Sequence, residues 1–383
     1  MALWISFFLL TLLYFPQGTK SCFSSIFSFG DSIADTGNLL YSLHGRHHVS
    51  RLPYGSTFFH HPTGRFSDGR LIVDFIAEAM GMPFLRPFLP GPGEGGFRRG
   101  VNFAVGGATA LETGYFRKMG PVTWTNLSLE VQLDWFKGLL PSLCSTDSEC
   151  KDLLSSSLFL AGEIGGNDYN YQFELAVPFH EIKSSIPTVI KAISDMINVL
   201  VDLGARYLVV PGNFPIGCNA AFLTRFQSSK EGDYNPETGC INWLNEFAEY
   251  HNAILKQELQ RLRLLHPHAT IIYADYYNAL MSQIKGETGL SRVPLAACCG
   301  GGGPYNYNYN VECGDWNSTV CDDPSSYIYW DGVHLTEAAY RVIARGIIEG
   351  PFSFPPLKEI CKDMETLYIG SSWDSHQQNK QFK

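Results

Sequence analysis

Short apolar runs alternate with longer segments of helical periodicity along most of this 383-residue sequence. Each run ends in Gly, Pro or Asp and has the length of a strand that is buried on both faces. This alternation predicts a parallel sheet with helices on both sides. The predicted strands are Ser25–Phe29, Val101–Val105, Leu158–Ala161, Tyr207–Val210 and Thr270–Ala274. The predicted helices are Leu71–Met80, Leu129–Leu140, His180–Leu203 and Asn242–Leu265.

A single α/β domain is predicted for residues 22–370, because no Pro/Ser-rich linker, charge shift or internal repeat divides the chain. Hydrophobic residues make up 45% of the sequence and aromatic residues 14%, which is enough for a large core. Open parallel sheets bind ligands beyond the carboxyl ends of their strands. We therefore look for chemistry directly after each predicted strand.

The two ends of the chain differ from the predicted domain. Residues 1–15 are almost entirely apolar and lead into turn-forming residues. This run is shorter than the ~20 residues that a membrane helix needs, so residues 1–21 indicate a secretory signal peptide and a soluble, secreted mature protein. No Lys or Arg precedes the run, and a signal anchor is the alternative interpretation. We expect residues 371–383 to be a disordered tail.

The ten cysteines form an even set, contain no CxxC pair and do not lie at zinc-finger distances from histidines. Disulfide bonds are therefore expected rather than a metal site. Two sequons also fit the secretory route, with Asn126 and Asn317 as glycosylation acceptors. The spacing suggests the pairs Cys144–Cys150 and Cys218–Cys240, a cluster of Cys298, Cys299, Cys313 and Cys321 that braces the segment before Asp331, and a link between Cys22 and Cys361.

Charge and motifs exclude several classes of protein. The formal net charge is −9 and no block of like charge is present, so nucleic acid is not an expected partner. The sequence has no HExxH, Walker A or EF-hand pattern, and we expect no metal and no cofactor.

The first predicted strand ends in FGDSIADTGN, which puts Ser32 at a turn before a helix. A serine at such a turn can present its hydroxyl above the sheet while its own N–H points toward a developing oxyanion. The alternative is that Asp31 or Ser32 only caps the following helix.

A second candidate segment, YWDGVHLTEAAY, lies near the other end of the chain and contains Asp331 and His334. An imidazole that acts as a base needs a carboxylate on one ring nitrogen, which fixes its tautomer and leaves the other nitrogen free. A DxxH turn can supply that pair locally. A lone DxxH is nevertheless a weak motif, and it gains meaning here from the serine that precedes it.

Two glycine-rich turns follow the second and third predicted strands. GVNFAVGGATAL contains Gly106 and Gly107, either of which can offer a backbone N–H to a substrate oxygen. AGEIGGNDYN contains Asn167, whose amide can donate to the same oxygen. Either string alone is more often just a tight turn. Their joint occurrence after successive strands favours a shared site.

Taken in their order along the chain, these four strings resemble blocks I, II, III and V of the SGNH hydrolase superfamily. The resemblance is specifically to the plant GDSL esterase/lipase family and its branch of sinapine and acetylajmalan esterases. The resemblance extends from about Ser25 to Gly350. It implies a flavodoxin-like three-layer α/β/α sandwich with a five-stranded parallel sheet. It also implies Ser32 as nucleophile, Asp331 and His334 as its partners, and Ser32, Gly107 and Asn167 as oxyanion donors, although the choice between Gly106 and Gly107 stays open.

The implied function is hydrolysis of a carboxylic ester through an acyl-Ser32 intermediate. Small acylated metabolites, lipids and cell-wall acetyl esters all remain possible substrates, and the oligomeric state is not predicted. One alternative is an acyltransferase that passes the acyl group to a sugar or alcohol. Another is a catalytically silent carbohydrate-binding or defence protein. The YNYNYN stretch, Tyr305–Asn310, could be a sugar-stacking platform, but we interpret it as an ordered loop near the site.

Overall fold

The computed structural model describes residues 22–120, 124–289 and 293–367. The predicted signal peptide, residues 1–21, and the predicted tail, residues 371–383, lie outside the described residues. The last three residues of the predicted domain, 368–370, also lie outside them.

The five predicted strands are all present and belong to one main sheet. The strands of the described residues, over all sheets, are β1 (Ile26–Phe29), β2 (Gly100–Asn102), β3 (Leu158–Ala161), β4 (Tyr207–Pro211), β5 (Thr270–Ala274), β6 (Val293–Ala297), β7 (Cys299–Gly300), β8 (Thr319–Val320), β9 (Tyr327–Tyr329) and β10 (Ser353–Phe354). The predicted strands are β1 to β5, which are parallel neighbours in the order β2-β1-β3-β4-β5. This is the flavodoxin-like order, in which the chain reverses direction across the sheet between β1 and β3.

Three features of the sheets differ from the sequence prediction. β10 adds a sixth strand, antiparallel to β5, at the edge of the main sheet. It has two residues, too few to show a periodic pattern. β2 ends at Asn102 rather than Val105, yet the amides of Phe103 and Val105 still donate to carbonyls of the chain at and after β1. The long loop after residue 300 contains β8, which pairs with β7, while β6 pairs with β9.

Three of the four predicted helices are confirmed within three residues at each end. The helices are α1 (Asn38–Ser42), α2 (Ile72–Ala79), α3 (Thr113–Phe116), α4 (Leu129–Leu143), α5 (Asp147–Ser155), α6 (Gly166–Glu174), α7 (Phe179–Ser184), α8 (Ile186–Leu203), α9 (Ala220–Arg225), α10 (Asn242–Leu265), α11 (Tyr276–Ile284), α12 (Glu337–Glu349) and α13 (Leu357–Ile360). Short 3₁₀ helices lie at His48–Ser50, Ile216–Cys218, Glu231–Asp233 and Pro324–Ser326. In the described part of the chain, no helix is both long and apolar enough to cross a bilayer.

The predicted helix His180–Leu203 is wrong as a single element, because it is two helices, α7 and α8, that meet at Ser185. Pro187 lies in the first turn of α8. Proline has no N–H and disfavours a helical conformation in the residue before it, so it fits the first turn of a helix and not its interior.

The strands divide their side chains between two apolar layers. Phe27, Phe29 and Phe159 pack on one side with residues of α4, α8 and α10. Ile26 and Leu158 pack on the other side with residues of α2, α11 and α12. Because successive residues of a strand face opposite sides, a strand buried on both faces needs apolar residues at nearly every position. The predicted α/β/α sandwich is confirmed.

All ten cysteines are paired. The bonds are Cys22–Cys361, Cys144–Cys150, Cys218–Cys240, Cys298–Cys321 and Cys299–Cys313. The pairs suggested by spacing are therefore confirmed, and the four-cysteine cluster is resolved into two bonds.

The disulfides are expected to contribute unequally to stability. Cys22–Cys361 joins positions 339 residues apart, whereas Cys144–Cys150 joins positions only 6 apart. The chain-entropy model gives about 6 kcal/mol for the long loop and about 2 kcal/mol for the short one. We expect Cys22→Ser/Cys361→Ser to lower the free energy of unfolding more than Cys144→Ser/Cys150→Ser in urea titrations. Equal losses would contradict an entropic origin.

Candidate active site

Ser32 lies in a tight turn directly after the carboxyl end of β1. Gly30 bends the chain there with φ of 140°, and a Cβ at this position would lie 2.9 Å from the carbonyl oxygen of Glu163. Ser32 is only 8% exposed and lines a cavity above the sheet. The carboxylate of Asp35 accepts the hydrogen bonds from the amides at the start of α1. The alternative that Asp31 or Ser32 caps this helix is therefore wrong.

The structure brings Asp331, His334 and Ser32 into one chain of hydrogen bonds. His334 Nε2 lies 2.8 Å from Ser32 Oγ. His334 Nδ1 lies 2.8 Å from Asp331 Oδ2 and 3.0 Å from Asp331 Oδ1. Asp331 Oδ1 also accepts from the backbone amides of Val333 and His334, so that the DxxH turn folds around the carboxylate. With Nδ1 donating to the carboxylate, Nε2 is free to accept the serine proton.

Asp331 is held as a carboxylate despite its burial. Burial alone would raise the pKa of Asp331. The neighbouring imidazole of His334 and the hydrogen bonds donated by His334 and by the amide of Val333 nevertheless hold that pKa well below its usual range. The hydroxyl of Tyr54 donates a further hydrogen bond to Asp331 Oδ2 at 2.8 Å. The ring of Phe66 packs against the imidazole with centroids 4.6 Å apart. Sequence analysis singled out neither Tyr54 nor Phe66, although both lie in the string PYGSTFFHHPTGRFSDGR.

The glycine pair after β2 has one engaged amide and one available amide. Gly106 donates its N–H to Asp35 Oδ2 at 2.8 Å. Among the described residues, none accepts a hydrogen bond from the N–H of Gly107 or of Ser32. Gly107 has φ of 76°, a conformation that favours glycine. Its carbonyl accepts from Tyr171, which helps to fix the direction of its peptide plane. The geometry favours Gly107 over Gly106 as an oxyanion donor.

Asn167 lies between the turns of Ser32 and Gly107, in the first turn of α6. Its Nδ2 donates to Asp31 Oδ2 at 3.0 Å and to the carbonyl of Ala108 at 3.1 Å. Both protons of the amide group therefore have partners in this unliganded arrangement. The next residue, Asp168, accepts from two amides beyond Gly107 and so ties the β2 turn to α6.

A pair of buried acids lies next to Asn167, and sequence analysis did not identify its second member, Glu163. Asp31 and Glu163 share a side-chain hydrogen bond. Burial and the neighbouring Glu163 carboxylate raise the pKa of Asp31 well above its usual value. Glu163 stands directly after β3, where a search at strand ends would have found it. The acid pair helps to hold the side chain of Asn167, which donates a hydrogen bond to Asp31.

An aromatic-lined cavity of about 210 Å³ opens above Ser32. Tyr307 and Tyr309 of the YNYNYN stretch line it, with their ring centroids 5.2 Å apart. The disulfide Cys299–Cys313 also lies in its wall and fastens the loop that carries both tyrosines. Trp124 closes another side and is 54% exposed. The YNYNYN stretch, which the sequence predicts to be an ordered loop near the site, thus forms part of its wall.

Comparison with known proteins agrees with this arrangement. Residues 26–347 match the family model described as GDSL-like Lipase/Acylhydrolase. A GDSL esterase/lipase of Arabidopsis thaliana is 52% identical over 355 residues, 91% of each chain. The sinapine esterase of Brassica napus is 51% identical over 359 residues, 92% of each chain.

Among solved structures, an acetylxylan esterase from Geobacillus stearothermophilus is similar with a TM-score of 0.37 and 13% identity, over 85% of this chain and 93% of that one. This likeness is too remote to bear on the substrate. The family match and the plant relatives, by contrast, each extend over most of the chain. The chain therefore belongs to the GDSL-like lipase/acylhydrolase family and is a carboxylic ester hydrolase.

Proposed function

We propose that this esterase works through an acyl-enzyme on Ser32, with His334 as general base and Asp331 as the group that orients and stabilises the imidazole. The observation that carries the proposal is the unbroken chain of hydrogen bonds from Ser32 Oγ through His334 to Asp331, with 2.8 Å at each step. A hydroxyl is a weak nucleophile unless an adjacent base takes its proton during attack.

In the proposed reaction, Ser32 Oγ attacks the ester carbonyl while its proton passes to His334 Nε2. The carbonyl oxygen becomes an oxyanion, and the imidazolium then gives the proton to the departing alcohol. Water repeats the sequence on the acyl-enzyme, which releases the acid and regenerates Ser32. Asp331 stays ionised throughout and stabilises the imidazolium.

Three donors are proposed for the oxyanion: the amides of Ser32 and Gly107 and the side-chain amide of Asn167. The two backbone amides are not engaged by other described residues, which supports this role. Asn167 would have to give up the bond to the carbonyl of Ala108 while Asp31 keeps hold of the other proton. The two backbone amides, by contrast, are held in place before the reaction, and such donors stabilise developing charge without reorganisation.

The proposed substrate is an ester that fits the aromatic cavity above Ser32. Its walls include Phe66, Tyr171 and Phe222 besides the aromatic side chains at the mouth. The name of the Brassica napus relative, sinapine esterase, supports a small acylated metabolite over a polymer-borne ester. Planar or apolar ester groups would bury their surface against these rings.

We also propose that residues 1–21 direct secretion and are removed, that residues 22–370 form a single domain and that residues 371–383 are a tail. Five disulfide bonds support an oxidising compartment. Asn126 and Asn317 are both exposed and thus accessible to glycosylation.

The secretory assignment predicts a defined product from eukaryotic cells that express the full chain. We expect the enzyme in the medium, with an N-terminus near residue 22 in mass spectrometry, and a loss of mass on treatment with an N-glycosidase. The double variant Asn126→Gln/Asn317→Gln is the matched control and should show no such loss. Retention of residues 1–21 in the mature enzyme would contradict the signal peptide.

The acyl-enzyme predicts that a fluorophosphonate probe labels wild type and not Ser32→Ala. Activity on p-nitrophenyl esters should fall by at least about 10³-fold, because the nucleophile is lost. Ser28→Ala is the matched control: Ser28 is buried in β1, and its hydroxyl has no hydrogen-bond partner among the described residues. The control should label and turn over like wild type. Labelling of Ser32→Ala would refute the assignment.

The oxyanion role predicts that Asn167→Ala lowers kcat roughly 10²-fold, a loss of about 3 kcal/mol in the transition state, with little change in KM. Asn167→Asp keeps the shape of the side chain but removes the donor, so it should be at least as slow. Steady-state kinetics on one ester would measure both variants, and unfolding midpoints would control for lost stability. A change confined to KM would mean that Asn167 contacts the substrate without stabilising the oxyanion.

A further inference from the structure

We propose that Tyr54 is a positioning residue for ester hydrolysis, because its hydroxyl holds the carboxylate of Asp331 in the orientation that His334 requires. The inference rests on the proposed triad and adds a member that lies 277 positions away from Asp331 in the sequence. Tyr54 acts through Asp331 and does not touch the reacting atoms.

The bond between Tyr54 and Asp331 is buried and well formed. The hydroxyl oxygen lies 2.8 Å from Asp331 Oδ2, and Tyr54 is 1% exposed. Among the described residues, Asp331 is the side chain to which this hydroxyl donates. A buried hydroxyl that loses its acceptor costs the full desolvation penalty of the group, because water cannot replace the bond. The hydrogen bond to Asp331 therefore holds the hydroxyl of Tyr54 in place.

The two carboxylate oxygens of Asp331 accept hydrogen bonds from different sets of donors. Oδ1 accepts from the backbone amides of Val333 and His334, and both belong to the same turn as the carboxylate. Oδ2 makes the shorter contact with the imidazole, and Tyr54 is the donor that reaches it from outside this turn. The turn thus fixes one oxygen, while Tyr54 prevents the carboxylate from rotating about the other. The plane of the carboxylate in turn sets the direction of the imidazole.

The ring of Tyr54 has little freedom to move its hydroxyl away. It packs edge-on against Trp330 with centroids 5.9 Å apart, and it packs at a tilt against His48 with centroids 5.5 Å apart. Trp330 is the residue immediately before Asp331 and is fully buried. Tyr54 therefore contacts the Asp331 turn twice, through the ring of its neighbour and through the carboxylate.

The hydroxyl keeps its proton at any pH at which the enzyme would work. Burial, followed by the negative charge of Asp331, raises the pKa of Tyr54 well above its usual value. The other ionisable groups nearby include His48, which pairs with Glu312 at 2.9 Å, together with His47 and the buried Tyr340. Tyr54 is thus a permanent donor, and it draws negative charge from the oxygen that faces the imidazole.

Removal of this donor has a predictable effect on turnover. Without it, Asp331 Oδ2 loses the hydrogen bond that reaches it from outside the turn, and the carboxylate can rotate away from the orientation that the imidazole needs. The loss should therefore appear in kcat and not in KM.

The test compares Tyr54→Phe with Tyr329→Phe. Both variants remove one buried tyrosine hydroxyl, but the hydroxyl of Tyr329 has no hydrogen-bond partner among the described residues. We expect Tyr54→Phe to lower kcat about 10-fold and leave KM within about twofold. Tyr329→Phe should match wild type in both. Fluorophosphonate titration of each preparation would count competent sites, so that partial misfolding does not enter kcat.

The proposal is overturned if Tyr54→Phe has the kcat of wild type, or if it loses only stability while its titrated sites turn over normally. A failure of the proposed triad would look different. In that case Ser32→Ala would still label or retain activity, whatever Tyr54→Phe does. A labelled Ser32 with an unaffected Tyr54→Phe would reject the role of Tyr54 alone.

Discussion

The pairing of β1 between β2 and β3 is the constraint on which the rest of the site depends. Ile26 is level with Gly100 on one side and with Leu158 on the other. With three parallel strands in register, their carboxyl ends reach the same edge of the sheet. The chain turns after these strands carry Ser32, Gly107 and Asn167, so backbone hydrogen bonding determines the spacing of the nucleophile and the oxyanion donors. This edge also lies where the strand order reverses, the usual location of ligand sites in such sheets.

Buried acids then link the three turns to one another. Asp35 accepts from the amide of Gly106 as well as from the amides that begin α1. Asp168 accepts from the amides of Ala110 and Leu111, and Asp31 accepts from Asn167. A buried carboxyl is stable only where donors surround it, and backbone amides are donors that cannot swing away. The same bonds that satisfy these acids therefore keep the candidate oxyanion donors in place.

The sequence was sufficient for the parts of this arrangement that depend on local pattern. Apolar runs predicted the five parallel strands, and the motif residues that follow them are brought together around one cavity. Contacts between distant segments left no such pattern. Tyr54 is one aromatic residue among many in its stretch, and only the fold brings it to Asp331. Likewise, β10 owes its existence to pairing with β5 and not to its own two residues. The break between α7 and α8 is different, because Pro187 was visible in the sequence and predicts it.

The imidazole side of the site is not built on the main sheet and needs separate support. Residues 54–70 supply part of it, since Tyr54 donates to Asp331 while Asp68 accepts from the amide of Glu337 at 2.7 Å. Arg70 and Glu337 form a buried ion pair, also at 2.7 Å, which fastens this segment to the start of α12. Arg70 also pairs with Glu78, and Glu337 also pairs with Arg341, so this ion pair is the central link of a buried network that couples the two segments. His334 lies between these two attachments, and its position is therefore fixed from both ends before a substrate arrives. Groups placed in advance in this way do not have to reorganise when charge develops, which is the condition for stabilising it effectively.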